Sequence, residues 1–337
     1  MVLKNKNMLI TIFIGLAILL LYAFPYMVSS NIIFRLSSIL VMALFATSFN
    51  LLLGYTGLVS FGQAAYFAIG GYSIALIMDA HSSFLLGLLG AVFFSAISAL
   101  LLGFVAFRAK GIYFAILTLA LGELIYQIFF QSKWSGGQNG IAGIKAPPIN
   151  VGSNTFSLNG MPNYYYVVLT IVVFCLFLLW LIVKSRLGKT LISIREDSTR
   201  AAFLGVNVKR FQLIAFVISG TFTGVAGALA APLNSIITAD MASWVHSSTP
   251  IIISLLGGFT FFLGPVVGAF IYEIFRFVTS SFLDSADLLI GLLLLIVIMV
   301  LPKGVLGLIE KITNLRKKSQ LKPTTEKKTT STKELRS

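Results

Sequence analysis

Long, unbroken apolar runs recur along the whole chain, and they restrict its fold more than any single motif does. They lie at about 8–28, 36–53, 57–79, 84–107, 112–131, 164–183, 211–231, 246–259, 261–281 and 286–301. A helix that crosses a bilayer needs about twenty such residues, and most of these runs supply them. Backbone amides in hydrocarbon must be paired within the protein, which leaves helices or closed barrels. Barrel strands alternate in polarity over about ten residues; these runs do not alternate. The expected fold is therefore all-α, a polytopic bundle of about ten transmembrane helices. The 246–259 run is short and interrupted by glycine, so a broken or re-entrant helix is expected there.

Composition points the same way. Charged residues make up 11% of the 337 positions and hydrophobic residues 57%, whereas a soluble domain carries about 25% charge. The mean hydropathy is +0.95, so water would find too little polar surface to solvate. Cys175 is the single cysteine, and His81 and His246 are the two histidines. No disulfide can form within the chain and no zinc spacing exists, so neither a metal site nor a cofactor is expected. A net charge of +14 would suggest nucleic acid in a soluble protein. In a membrane protein basic loops set orientation instead, and the expected surrounding is the lipid bilayer with no nucleic-acid partner.

The basic residues orient the bundle. Arg108 and Lys110 form one group, seven more lie between Lys184 and Arg210, and ten lie from Lys303 to Arg336. With ten crossings and the N-terminus inside, all of them fall in the cytoplasm, and Asp79, Asp240, Asp284 and Asp287 fall outside. That is the positive-inside pattern, and it places both termini on the cytoplasmic side of the membrane; a bacterial plasma membrane is the expected location. If 246–259 did not cross, the 184–210 loop and the tail would need opposite sides. The first run follows Lys4 and Lys6 and passes through Phe24-Pro25-Tyr26. It is longer than a signal-peptide core and lacks a small-residue cleavage site, so it reads as a retained first span. Residues 1–310 read as the membrane domain. Residues 311–337, rich in Lys, Thr and Ser, read as a solvated, disordered tail able to lie on anionic headgroups. The outer stretch 131–163 is a long loop with turn chemistry, and such loops are often functional.

The 29 glycines cluster. Gly220-x-x-x-Gly224 and Gly264-x-x-x-Gly268 have the spacing that lets helices approach closely in lipid, and packing is their expected role. Gly54-Tyr55-Thr56-Gly57-Leu58-Val59-Ser60-Phe61-Gly62-Gln63 differs, because it brings polar groups into apolar surroundings. Two readings stand open: a broken helix lining a polar path, or a tight turn between two spans. The membrane-embedded charges are Glu123, Glu273 and Arg276, and such groups are costly in hydrocarbon. Glu273 and Arg276 are three apart, so mutual pairing is expected. Glu123 has no local partner and either lines a pathway or hydrogen-bonds within the bundle. The pathway candidates are Gly54, Gly57, Ser60, Gln63, Glu123, Gly257 and Gly258.

The most informative polar segment is KSRLGKTLISIREDSTRAAFLGVNVKRFQ, from Lys184 to Gln212. A short amphipathic helix is expected over Leu191–Leu204. It offers Leu191, Ile194, Ala201, Phe203 and Leu204 beside Arg195, Glu196, Asp197 and Arg200, the mixture a soluble docking partner requires. Gly188-Lys189-Thr190 is not a P-loop, because Val183 stands where its first glycine belongs. With no nucleotide site in the chain, any ATP that drives it is hydrolysed by another chain. No paired acids, histidine cluster or Ser/His constellation is present for catalysis, and a transport subunit rather than an enzyme is expected.

Six blocks, in order over about residues 36–308, resemble the branched-chain amino acid ABC permeases, the LivM type most closely. They are NLLLGYTGLVSFGQAAYFAIGGY from Asn50, KGIYFAILTLALGEL from Lys110, WSGGQNGI from Trp134, SRLGKTLISIREDSTRAAFLGVNV followed by AFVISGTFTGVAGAL, GGFTFFLGPVVGA and LPKGVLGL. The resemblance implies an importer working by ATP-driven alternating access. Its partners would be a second, LivH-like permease subunit in a heterodimer, two cytoplasmic ATPase subunits, and an extracytoplasmic protein that delivers leucine, isoleucine or valine. It also implies that an Ala-Ala-x-x-Gly coupling element falls on Ala201, Ala202 and Gly205, with Ile194, Arg195, Glu196, Asp197 and Arg200 just upstream. Related permeases for urea or short amides share most of these blocks, so they fix the family better than the substrate. From the residues alone, an ion-coupled secondary transporter using Glu123 and broken helices at Gly54–Gly62 and Gly257–Gly268 remains the alternative.

Overall fold

The computed structural model describes residues 28–280 except 152, 153, 157 and 159, together with 21, 22, 25, 289, 291 and 304–307. Apart from those few positions, the expected first and last spans, and all of the tail, lie outside the described residues. Within them the architecture is all-α: α1 (Ser30–Thr56), α2 (Gln63–His81), α3 (Phe84–Ala106), α4 (Ile112–Gln131), α5 (Met161–Lys184), α6 (Arg186–Glu196), α7 (Ser198–Phe203), α8 (Val208–Asn234), α9 (Trp244–Gly257) and α10 (Gly264–Ser280). Helices α1, α3, α4, α5 and α8 are each long and apolar enough to cross a membrane.

Two kinds of helix share the work. In α1 and α8 most of the apolar window is buried inside the protein, while in α3, α4 and α5 most of it faces outward. The outward residues, such as Leu101, Phe104, Ile116 and Phe174, meet acyl chains as apolar as themselves, so water exclusion does not hold the bundle together. Close packing does. Helix α8 is the hub, touching α1, α2 and α3, while α9 and α10 pack on each other and on α1.

The tightest seam joins α2 to α8. A Cβ on Gly70 would collide with the Gly224 carbonyl, and one on Gly227 with the Phe67 carbonyl. Gly224 also lies against Ser95 of α3, and Gly220 against Ala99 and Tyr66. Gly268 sits equally close to the backbone of Ile253 and Gly257. The packing role expected of both small-residue pairs is what the structure holds.

The 57–79 run is not one helix. Gly57 ends α1 in the left-handed region (φ 73°), its N–H and that of Leu58 turning back to the Leu52 carbonyl. Only glycine takes that conformation without strain. Residues 57–62 then run outside any helix, and α2 starts at Gln63. The Phe61 N–H donates to Thr118 Oγ1 at 3.2 Å, and Gly62 lies against Thr118 and Gly122. Those two residues sit roughly 9 and 15 Å along α4 from its first residue, by the rise of an α-helix. The chain therefore climbs back into the bundle before α2 begins.

Four short strands lie outside the helices. Ile141–Ala142 (β1) pairs antiparallel with Ile236–Ile237 (β4), and Ile149–Val151 (β2) with Asn154–Phe156 (β3). The β1–β4 pair ties the loop after α4 to the end of α8.

Candidate functional site

The polar loop after α5 is a pair of helices, not the single one expected over Leu191–Leu204. Ser185 caps α6 by accepting from Leu187 N–H. The chain breaks at Asp197, which is extended (φ −158°, ψ 100°) and accepts from the N–H groups of Thr199 and Arg200 at 3.0 Å each. An aspartate that satisfies two free donors at a helix start outcompetes continuation of the previous helix. Gly205 ends α7 at φ 86°, with Val206 N–H on the Ala201 carbonyl and Gly205 N–H on that of Ala202. This is the Schellman arrangement, and it gives the Ala-Ala-x-x-Gly spacing a local physical reason.

The two helices have an inside and an outside. Leu191, Ile194 and Ala201 are buried and fasten the pair to the membrane helices. Arg200, paired with Asp197 at 2.9 Å, keeps 86% of its side chain exposed, and so open an ion pair stabilises by at most about 1 kcal/mol. Glu196, Ala202 and Gly205 are exposed as well. Beside them Phe203 and Leu204 are 87% and 85% exposed. Of the five apolar contacts expected on the docking helix, these two stay open, while Leu191, Ile194 and Ala201 are buried.

Arg195 is exposed too, but its guanidinium points the other way. Its Nη1 donates to the Gly54 carbonyl at 2.5 Å, and its guanidinium lies 5.4 Å from the centre of the Phe259 ring. Gly54 closes α1, and Phe259 follows Gly257 and Gly258 in the break between α9 and α10. The two breaks touch, since a Cβ on Gly54 would collide with the Phe259 carbonyl. Gly54 and Gly57, and through Phe259 the break that holds Gly257 and Gly258, are therefore gathered beside Arg195 of the polar loop. A cavity of about 500 Å³ opens between this loop, the Gly57 turn and the starts of α4 and α8. Arg195, Lys110 and Lys209 line it over a floor containing Phe107 and Phe114, with no acidic residue among its lining.

Ser60 and Gln63 lie elsewhere and both are 0% exposed; Ser60 Oγ has no hydrogen-bond partner, whereas Gln63, at the start of α2, belongs to a buried polar cluster. Gln63 Nε2 donates to Ser219 Oγ (2.8 Å) and Thr223 Oγ1 (3.0 Å). Ser48 bonds Thr223 at 2.8 Å, and Ser219 Oγ donates to the Ser48 carbonyl at 2.6 Å. Ala64 N–H donates to Ser247 Oγ at 3.0 Å, which brings in α9. Glu123 Oε1 accepts from Trp244 N–H at 3.0 Å, satisfying the first free donor of α9. The pairing expected of Glu273 and Arg276 is absent among the described residues. Arg276 is exposed, and Glu273 Oε1 is buried with no hydrogen-bond partner. No group of His, Cys, Asp and Glu fit to hold a metal occurs among the described residues.

Comparison with known proteins fits this construction. The family described as the permease component of the branched-chain amino acid transport system matches residues 31–299. The LivM permease of the high-affinity branched-chain amino acid transport system of Escherichia coli K12 is 28% identical over 316 residues, covering 88% of this chain and 74% of that protein. The corresponding LivH permease of Salmonella typhimurium LT2 is 23% identical over 284 residues, covering 79% of this chain and 91% of its own. A nucleoside ABC transporter permease of Lactococcus lactis, NupC, is 25% identical over 191 residues, covering 51% of this chain and 58% of its own. No solved structure matches. A helical, multi-pass bundle with glycine-built breaks, matched over this extent, belongs to the branched-chain amino acid transport permease family.

Proposed function

We propose that this chain is one permease subunit of an ABC importer for branched-chain amino acids, driven by ATPase subunits that bind the α6–α7 surface from the cytoplasm. The observation that carries the reading is the pair Phe203 and Leu204, both more than four-fifths exposed at the end of a helix whose other face is fastened to the bundle. Large apolar side chains outside the spans are stable there when a partner covers them, and apolar anchors of this kind dominate interfaces. Arg200, Ala202 and Gly205 form the rest of that surface. The substrate comes from the names of the LivM and LivH relatives. A second permease subunit, a cytoplasmic position for both termini and an extracytoplasmic delivery protein complete the proposal.

Within it, the breaks at Gly54–Gly57 and Gly257–Gly258 are the parts of the pathway that change shape. Gln63 holds the start of α2, and Glu123 holds the start of α9. The test is Phe203→Asp combined with Leu204→Asp. Membrane level should be unchanged, while co-purification of the ATPase subunits and uptake of labelled leucine fall together by about tenfold or more, as expected for loss of interface anchors. Normal co-purification would sink the docking assignment. Competition of leucine uptake by valine, by a nucleoside and by urea separates the substrate classes: competition by nucleoside or urea alone would overturn the amino-acid assignment.

A further inference from the structure

The geometry points to Arg195 as the positioning residue that carries movement of the docked α6–α7 unit to both glycine breaks at once. This rests on the importer reading above and adds a role distinct from docking, since Arg195 turns toward the bundle where Arg200, Phe203 and Leu204 turn away from it.

Three contacts support the assignment. The Gly54 carbonyl lies in the last turn of α1, where carbonyls lack helical partners and the helix dipole is negative; Arg195 supplies the donor at 2.5 Å. The same guanidinium lies 5.4 Å from the Phe259 ring centre in the other break. The Arg195 stem is 3.3 Å from where a Cβ on Gly57 would stand, so the turn that ends α1 is shaped around it. Gly54 and Phe259 belong to breaks separated by some two hundred residues of chain, and one side chain spans them.

Arginine suits this position. Its planar fork donates to a carbonyl with its edge while presenting its face to a ring, whereas a lysine ammonium is a point charge. The mount is stiff: Arg195 is in the last turn of the 11-residue α6, anchored through buried Leu191 and Ile194 and capped at its start by Ser185. A push on the outer face of α6–α7 thus reaches Gly54 and Phe259 through a rigid lever. A docking-only residue would have its partners outside the chain.

The experiment uses the full complex in vesicles and measures leucine uptake and ATP hydrolysis in the same preparation. Arg195→Met should lower uptake about tenfold, within the ordinary range of coupling free energies, while ATP hydrolysis continues, so that more ATP is consumed per leucine moved. Arg195→Lys, which keeps a donor and a charge, should recover part of the uptake. Phe259→Leu should raise the ATP-to-leucine ratio by less than Arg195→Met does. Arg200→Met, on the docking surface, should lower uptake and hydrolysis together and so leave their ratio unchanged. Proportional loss of uptake and hydrolysis in Arg195→Met would overturn the assignment in favour of docking, and wild-type uptake with wild-type hydrolysis would overturn it outright. Should Arg195→Met fail to assemble, wild-type ratios in both Arg195→Lys and Phe259→Leu overturn it equally. Wild-type vesicles that accumulate leucine without ATP would instead overturn the importer reading itself.

Discussion

Along the α2–α8 seam, glycines sit inside unbroken helices, and around Gly54–Gly57 and Gly257–Gly258 they sit where helices stop. In the seam the helices run through the glycines without a break, and the missing side chain brings two backbones together. At the breaks the ladder ends, and the freed groups are met by residues from elsewhere: Arg195 on the Gly54 carbonyl, Thr118 on the Phe61 N–H. The same residue type thus serves cohesion in one region and interruption in the other. Mutations should separate them, the seam failing in stability and the breaks in transport.

The largest effect is expected from Gly224→Leu. Its side chain would enter space held by Ser95 and push α8 from Gly70, and overpacking of this kind costs about 1–3 kcal/mol or more. Monodisperse protein in detergent should be nearly lost; a normal yield and melting temperature would mean the seam is not tight. Next is Gln63→Leu, which removes the bonds to Ser219 and Thr223 at a cost of about 1–3 kcal/mol, read as a lower melting temperature. An unchanged melt would show that the polar cluster does not hold α2 in place. Gly57→Ala should cost only about 1 kcal/mol for its positive φ, yet lower uptake more than that loss explains, because its Cβ displaces Arg195. Uptake that merely tracks stability would blur the contrast between seam and break. Glu123→Gln should change least, since the amide keeps an acceptor for Trp244 N–H. Loss of uptake in Glu123→Gln would restore a carboxylate-dependent, ion-coupled reading.

Hydropathy located the helices from 30 to 280 well, because length and apolarity alone decide what lipid accepts. It misplaced the start of α2, since Leu58, Val59 and Phe61 are as apolar as a span. The backbone there is met by Thr118 and Ser247 and the Gln63 side chain by Ser219 and Thr223, none of them near in sequence. The break at Asp197 was locally legible as a cap, although the apolar spacing of 191–204 masked it. The inward turn of Arg195 was not legible. Its partners are a carbonyl 141 residues earlier and the Phe259 ring in a different break, and no sequence pattern marks a free carbonyl. The exposure of Phe203 and Leu204 likewise depends on which face of α7 the buried Ala201 selects.

The climb of residues 57–62 back into the bundle also has a bearing on the order in which the protein is made. Ala64 N–H is satisfied by Ser247, 183 residues later, and a ribosome adding about 5–20 residues per second needs roughly 10–40 s to reach it. Thr118 emerges first, then Ser219 and Thr223, and Ser247 last. Until then the segment's polar backbone has no complete home in hydrocarbon, where each unmet group costs several kcal/mol. The inner break is thus the part of the molecule that settles only after most of the chain has been synthesised.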